Sequence, residues 1–371
     1  MKKIKVAEFV GSMNCGGTET MLMNIFRNID REKYEIHFIE TVSEKCWYDD
    51  EIIKLGGKII KLSTKKSNML AYIRSLIKLF RTNKYDVVHS HTYLHSGIIM
   101  YAAKKAGVKI RISHSHSNMD TIKHSIIYKI KKMIMQKLIL RYSNKFVACS
   151  KEAGTSLFGK SFEKNGIILH NPIEINKIDN INENEVEDIK NKYSIISNKD
   201  QIVLGHVGRF IQIKNHKFLI EIGRILHNKN INFKLFLLGD GENFENIEKL
   251  IKEYNLENYI FMTGNVKNVY DYMSLMDVFL MPSLYEGLPL TAVEAQASGV
   301  NCILSTNISR ETDIGLGIVK FLSLDNIDNW IEQILILSKK ERLDKQTIKN
   351  KIINSKFDTE SVIKELEKLY N

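Results

Sequence analysis

Cysteine is scarce in this chain, and its four residues stand far apart: Cys15, Cys46, Cys149 and Cys302 form no C-x-x-C pair. A disulfide framework or a cysteine metal site is disfavoured, and reduced structural thiols are expected. Long hydrophobic runs are missing too, since no apolar stretch approaches the ~18 residues that cross a bilayer. The opening Met1-Lys-Lys-Ile-Lys-Val-Ala-Glu-Phe-Val has neither a long apolar core nor a small-residue cleavage site, so a cytoplasmic protein is expected. Acidic residues are thin in the first half. Residues 1–170 carry 30 Lys and Arg against 14 Asp and Glu, a balance of +16, whereas the remainder carries 24 against 29, a balance of −5. That asymmetry points to a polyanionic partner surface, either nucleic acid or the anionic face of a membrane. Against nucleic acid, no recognition motif appears and no aromatics interleave the basic stretches.

What is present reads as two α/β domains, for which 371 residues suffice. Strands are expected at 4–10, 34–39, 58–62, 86–90, 109–113, 145–149 and 166–169, with helical periodicity between most of them. A second series is expected at 202–207, 233–238, 259–263, 278–281 and 301–304. The rhythm argues for doubly wound, mostly parallel sheets. Domain one spans 1–175, an Asn- and Glu-rich connector 176–200, and domain two 201–356; the amphipathic helix at 357–371 is expected to pack back on domain one. Two helices, one through Met69, Leu70, Ile73, Leu76, Ile77 and Phe80 and one through Ile126, Ile127, Ile130, Ile134, Leu138 and Ile139, set apolar residues beside Lys and Arg. Each suits either an ordinary sheet-packing helix or an interfacial one on anionic lipid.

The most informative stretch is Glu286-Gly-Leu-Pro-Leu-Thr-Ala-Val-Glu294. Pro282, Ser283 and Gly287 end a buried strand, and Pro289 sits where a helix starts, so backbone N–H groups are offered to a phosphate. Glu286 precedes that seat and Glu294 follows it by about two turns, suited to sugar hydroxyls and a ribose. Gly208-Arg209 and Lys214 follow the first strand of the second series, where a planar fork and a mobile ammonium can converge on a diphosphate. Thr263-Gly264-Asn265-Val266 ends another strand, and its backbone is placed to pair with a base edge. Gly16 and Gly17 open a helix after the first strand without forming G-x-G-x-x-G, which disfavours a dinucleotide enzyme. Histidines cluster as His89-Ser-His91, His95 and His114-Ser-His116; zinc is a rival there, but no cysteine or carboxylate joins them at ligand spacing. Gly154-Thr-Ser-Leu-Phe-Gly159-Lys160-Ser161 satisfies the P-loop formula literally, yet 151–158 reads as helix and no room is left for the helix a P-loop needs.

Together these residues resemble the retaining glycosyltransferases of family 4, with the GT-B fold of two Rossmann-like domains facing across a cleft. Asp277-Val-Phe-Leu-Met-Pro-Ser-Leu-Tyr-Glu286-Gly-Leu-Pro-Leu-Thr-Ala-Val-Glu294-Ala resembles the family's E-x7-E signature. Val207-Gly-Arg209…Lys214 is similar to its diphosphate motif and Gly16-Gly17-x-Glu19 to its glycine loop. Asp86-Val-Val-His-Ser-His91, Arg111-Ile-Ser-His-Ser-His116-Ser-Asn118 and the false P-loop are similar to the subgroup that builds capsule and exopolysaccharide. The resemblance implies a nucleotide-sugar donor, most often UDP-linked, in the second domain and a polyprenyl-diphosphate-linked or oligosaccharide acceptor on the first. It implies that Arg209 and Lys214 neutralise the leaving diphosphate, Glu294 binds ribose and Glu286 the transferred sugar, and the Leu288 and Leu290 N–H groups bind phosphate. His116 would stand by the reacting sugar, with His114 as a rival and His91 and Asn118 on the acceptor side. Transfer would be by front-face attack, the cleft closing over the donor. No Asp-x-Asp occurs, so neither a metal nor any other cofactor is expected. A basic first domain would dock at the inner membrane surface. The rivals are a GT-B nucleotide-sugar 2-epimerase, separable by an assay without acceptor, and a nucleic-acid-binding protein, separable by salt-dependent binding.

Overall fold

Apolar runs bounded by charge fold as strands here, and every strand pairing is parallel. The computed structural model describes residues 2–62, 68–116, 125–196 and 200–371. In the first half lie β1 (Ile4–Phe9), β2 (Tyr34–Glu40), β3 (Lys58–Lys61), β4 (Val87–Ser90), β5 (Ile110–Ser115), β6 (Lys145–Ala148) and β7 (Gly166–Ile168). They join in the order β3-β2-β1-β4-β5-β6-β7. In the second half, β8 (Ile202–Val207), β9 (Phe233–Leu238), β10 (Ile260–Gly264), β11 (Val278–Met281), β12 (Asn301–Ser305) and β13 (Val319–Leu322) join as β10-β9-β8-β11-β12-β13. Such buried strands need near-continuous apolar runs, as in Phe279-Leu-Met281, because helices cover both faces. The edge strand β13 was not expected, since Val-Lys-Phe-Leu is too short and too charged to stand out by pattern.

The chain divides into two units, Met1–Pro172 with Lys356–Asn371, and Ile173–Ser355. The helix Thr359–Tyr370 belongs to the first. Asp358 caps it by accepting from the Ser361 N–H at 2.8 Å, and Val362, Leu366, Leu369 and Tyr370 enter the core of Met21, Phe26 and Tyr34. The expected connector differs from its sequence reading. Residues 176–200 contribute most of two helices, Ile175–Asp179 and Glu183–Tyr193, and these belong to the second unit. Ile178 and Ile189 are buried, and the Tyr193 ring packs on Phe236 and Phe261 at 5.1 and 4.8 Å. A few apolar side chains amid Asn and Glu are enough to dock them.

The P-loop look-alike is a packing motif. Gly154 lies inside the helix Lys151–Phe158, which Ser150 caps, and a Cβ there would come within 2.3 Å of the Phe162 ring. A six-residue helix, Lys160–Asn165, does form from the Lys-Ser onward, where none was expected, but it is too short for a P-loop. The two amphipathic helices part ways. Met69–Asn83 buries Tyr72, Leu76 and Phe80 on its neighbours. Ile126–Tyr142 buries only Ile139, leaving Ile126 and Ile127 76% and 80% exposed, with Ile130, Met133 and Ile134 half exposed. Among the described residues, no helix is long and apolar enough to cross a membrane.

Candidate active site

In an open parallel sheet, ligands bind beyond the carboxyl ends of the strands where the winding direction reverses. The strand orders put these switch points between β1 and β4 in the first unit and between β8 and β11 in the second.

At the second switch point, β8 runs into Gly208 and Arg209 and β11 into the loop 282–289. Loop is tied to loop: the Leu284 N–H donates to the Ile213 carbonyl at 2.8 Å, and Asn215 Nδ2 donates to the Pro282 carbonyl at 3.2 Å. This brings Lys214 Nζ within 2.6 Å of Glu286 Oε1, a largely enclosed ion pair. The Ser309 N–H donates to the Glu286 carbonyl at 3.2 Å and holds that backbone. Arg209 is exposed and makes no ion pair among the described residues. The helix Leu290–Ala297 starts after Pro289 and is latched to the end of β8 by Thr291 Oγ1 donating to the Val207 carbonyl at 3.1 Å. Gly287 and the side chains of Leu288 and Leu290 are buried, so these residues can offer a ligand only backbone.

Glu294, about one turn along that helix, is buried and accepts from Tyr270 Oη at 3.0 Å. Burial pushes its pKa up to about 7, against the opposing pull of the Tyr270 hydroxyl and Lys177. Tyr270 stands on the short helix Val269–Met273, just past Gly264 and Val266, so it links the β10 loop to the second carboxylate. Nothing in the residue pattern marked Tyr270. Turn chemistry explains the glycines. Gly239 has φ +128, and a Cβ there would lie 2.3 Å from the Gly208 carbonyl oxygen; its N–H donates to the Gly264 carbonyl at 2.9 Å.

In the first unit, Gly16 caps the helix Gly17–Asn28 in an extended conformation, and a Cβ on Gly17 would meet nothing within 4 Å. No steric demand for glycine exists at position 17. The histidines are organised by register. Glu8 of β1 pairs with His89 of β4, and His89 with Ile112 of β5, so Glu8, His89, His91, His114 and His116 share one face of the sheet. Nearer the strand starts, Val6, Val87 and Ile112 on that face join the apolar core under the C-terminal helix. Farther along, the face turns polar. Glu8 Oε2 accepts from His91 Nε2 at 2.8 Å, and His91 Nδ1 meets His116 Nε2 at 2.8 Å. Tyr370 Oη donates to Glu8 Oε1 and meets His89 Nδ1 at 2.9 Å; His89 Nε2 meets His114 Nδ1 at 3.1 Å. His114 and His116 rings lie 4.0 Å apart.

Burial works to raise the Glu8 pKa, but His89 and His91 more than offset it and hold the carboxyl well below its usual range. Burial and the His89 neighbour push His91 down to about 4, and burial takes His114 and His116 well below the usual imidazole value. The sequence argument that no carboxylate joins the histidines is thus overturned by Glu8, which comes from a different strand. Glu8 is also the charged residue inside an otherwise apolar run, a signal that was available. His95 stands apart, its Nε2 on the Tyr72 hydroxyl at 2.9 Å. Asn118 lies outside the described residues.

Among the described residues, two groups hold ligand atoms within 4.8 Å of one another, His89 with His91 and His114, and Glu40 with Cys46 and Asp49. In the first, His89 and His91 already have both nitrogens in protein hydrogen bonds, so a metal would have to displace Glu8 or Tyr370 or break the bonds to His114 and His116. In the second, Lys61 Nζ sits 3.0 Å from Asp49 and 3.4 Å from Glu40 and supplies the positive charge itself. Neither donor set fits a resident cation well.

Residues 187–353 match the family described as "Glycosyl transferases group 1", and residues 15–177 match "Glycosyltransferase Family 4". The chain is 34% identical to EpsF of Bacillus subtilis (strain 168), named as a glycosyltransferase, over 99% of this chain and 96% of that protein. It is 31% identical to the capsular polysaccharide biosynthesis glycosyltransferase CapH of Staphylococcus aureus, over 84% of this chain and 83% of CapH. It is 25% identical to the Escherichia coli UDP-Gal:alpha-D-GlcNAc-diphosphoundecaprenol alpha-1,3-galactosyltransferase, over 99% and 97%. Among solved structures, Anabaena Alr3699/HepE in complex with UDP-glucose superposes with a TM-score of 0.80 at 15% identity, covering 98% of each chain.

Proposed function

The chain belongs to the family 4 glycosyltransferases, with their GT-B fold of two parallel-sheet domains, and from that premise we propose that it transfers a hexose or N-acetylhexosamine with retention from a UDP-linked donor to a lipid-linked or saccharide acceptor in capsule or exopolysaccharide synthesis. The observation that carries this reading is the Lys214–Glu286 contact at the second switch point, beside a helix N-terminus and with Glu294 buried behind it. An ammonium already neutralised by a carboxylate can be shared with an incoming diphosphate while that carboxylate turns to a sugar hydroxyl. UDP-glucose bound to HepE supports the donor class, and the diphosphoundecaprenol in the galactosyltransferase's name supports the acceptor class.

In this mechanism, the acceptor hydroxyl attacks the anomeric carbon on the face the leaving group departs from. The bond to the β-phosphate oxygen breaks as that phosphate takes the acceptor proton. Lys214 and the exposed Arg209 stabilise the negative charge that grows on the diphosphate, replacing a metal. Glu286 orients the sugar and does not attack. Backbone N–H groups of Leu288 and Leu290 hold phosphate, Glu294 holds the ribose hydroxyls, and the backbone at Gly264 and Val266 meets the base. The first unit binds the acceptor, with His91 and Asn118 on its side, and His116, with His114 as its rival, stands by the reacting sugar. The exposed isoleucines of the helix Ile126–Tyr142, among Lys129, Lys131, Lys132 and Lys137, would rest on the anionic inner membrane face and bring the enzyme to a lipid-borne acceptor.

The test is transfer of labelled sugar from a panel of nucleotide sugars to a polyprenyl-diphosphate-linked saccharide, in EDTA, with the product anomer assigned by NMR. Retained configuration in EDTA is the expected result. Hydrolysis or epimerisation without transfer, or a strict divalent-metal requirement, would overturn it.

A further inference from the structure

One buried carboxylate stands at the root of two hydrogen-bonded chains, and each chain ends on an imidazole nitrogen with no partner among the described residues. Glu8 is 3% exposed and makes contact with Tyr370, His91 and, at 3.4 Å, His89 Nδ1. An ionised carboxylate can only accept. His91 must therefore carry its hydrogen on Nε2, which leaves Nδ1 of the neutral ring as an acceptor. His116 must then donate from Nε2 across the 2.8 Å contact, and its own Nδ1 is left bare. The second chain follows the same rule. Tyr370 spends its hydrogen on Glu8, so His89 donates from Nδ1 to the phenol oxygen; His89 Nε2 then accepts from His114 Nδ1, and His114 Nε2 is left bare. Those two predicted bare nitrogens, His114 Nε2 and His116 Nδ1, are the only imidazole nitrogens of this cluster that are buried without a hydrogen-bond partner among the described residues.

We propose that Glu8 is a positioning residue that fixes the tautomers of four histidines, so that His116 Nδ1 and His114 Nε2 stand as a pair of acceptors for hydroxyl groups of a bound sugar. The assignment of those hydroxyls to this reaction rests on the glycosyltransferase reading; the tautomers do not. Two lone pairs and no donor select a ligand that brings hydrogens, as a polyol does, and disfavour a carboxylate or phosphate at that point. The other ionisable groups on the cluster are those already named on β1, β4, β5 and the C-terminal helix, together with Tyr34, whose ring lies 5.9 Å from that of Tyr370.

The experiment is 15N NMR of the full chain labelled at histidine, which separates bare from hydrogen-bearing ring nitrogens, repeated on Glu8→Gln. The wild type should show bare Nδ1 on His116 and bare Nε2 on His114. A carboxamide offers one acceptor and one donor where the carboxylate offers two acceptors, so in Glu8→Gln at least one chain must reverse and expose N–H at its end. Transfer kinetics should follow, with a rise of at least tenfold in KM for the substrate whose hydroxyls are held: the donor if they are those of the transferred sugar, the acceptor otherwise. Any other wild-type tautomer pattern, or a Glu8→Gln spectrum with both ends unchanged, overturns the proposal. So does a reversed end with both KM values intact. If the wild type has the stated tautomers but transfers no sugar, the glycosyltransferase reading fails, and with it the sugar assignment, while the tautomer relay stands.

Discussion

At the first switch point a carboxylate, four imidazoles and a phenol are hydrogen-bonded into one network through the backbone register of three strands and one distant helix. At the second, an ammonium and a carboxylate face each other across two loops, and a second carboxyl is buried against a single tyrosine. The first centre is rigid in polarity, because each hydrogen dictates the next. The second is a charge pair in loops, easily re-shared with a charged ligand. On the proposed reading, this difference suits sugar hydroxyls at the first centre and a donor diphosphate at the second.

The comparison is most readily broken at the ion pair. Lys214→Ala should lower the transfer rate by roughly 10²–10³, as expected for loss of a group that stabilises leaving-group charge. Glu286→Ala should also be costly, and the double variant should lose much less than the product of the two single losses, because the residues act through one contact. Independent, multiplicative losses in steady-state kinetics would separate them.

Glu294→Ala should weaken nucleotide binding by about tenfold to a hundredfold, the range for a hydrogen bond to a charged group, measured by calorimetry. The two centres should also answer pH with opposite sign. Glu294 has a folded pKa of about 7 against an ordinary 4.5, so its contribution is fully present below about 4.5 and is lost as pH rises through 7. Glu294→Gln should therefore gain on the wild type in urea unfolding as pH rises across that window, by up to ~3 kcal/mol. His91, held at about 4, contributes in the other direction: its share of stability is intact above 6.5 and is lost as pH falls toward 4. A gap between Glu294→Gln and wild type that stays constant from pH 4.5 to 8 would contradict the second-unit account.

The smallest effect on soluble chemistry belongs to the surface. Ile126→Asp with Ile127→Asp should reduce binding to anionic vesicles severalfold while transfer to a water-soluble acceptor stays within about twofold. Unchanged vesicle binding would remove the membrane role from this helix.

Much of this was legible in the residues. Strand-helix alternation conveyed two parallel sheets, and the spacing of Glu286, Pro289 and Glu294 conveyed a loop, a helix start and two carboxylates on one path. Local pattern reaches that far because each feature is made by neighbours in sequence. Tyr370 reaches His89 across 281 positions and Tyr270 reaches Glu294 across 24, contacts that only the fold creates. Glu8 was visible as a charge in an apolar strand, but its partners were not. The helix Ile126–Tyr142 and its counterpart Met69–Asn83 look alike as patterns; only packing revealed that the second buries an aromatic and aliphatic face while the first leaves most of its isoleucines exposed.

The most direct test of the account is calorimetric titration of UDP-glucose and UDP-galactose into the full chain in EDTA, beside Glu294→Ala and Lys214→Ala. The account predicts metal-free binding by the wild type that weakens at least tenfold in each variant. Wild-type binding that both variants retain, or no nucleotide binding at all, would contradict a donor site at the second switch point.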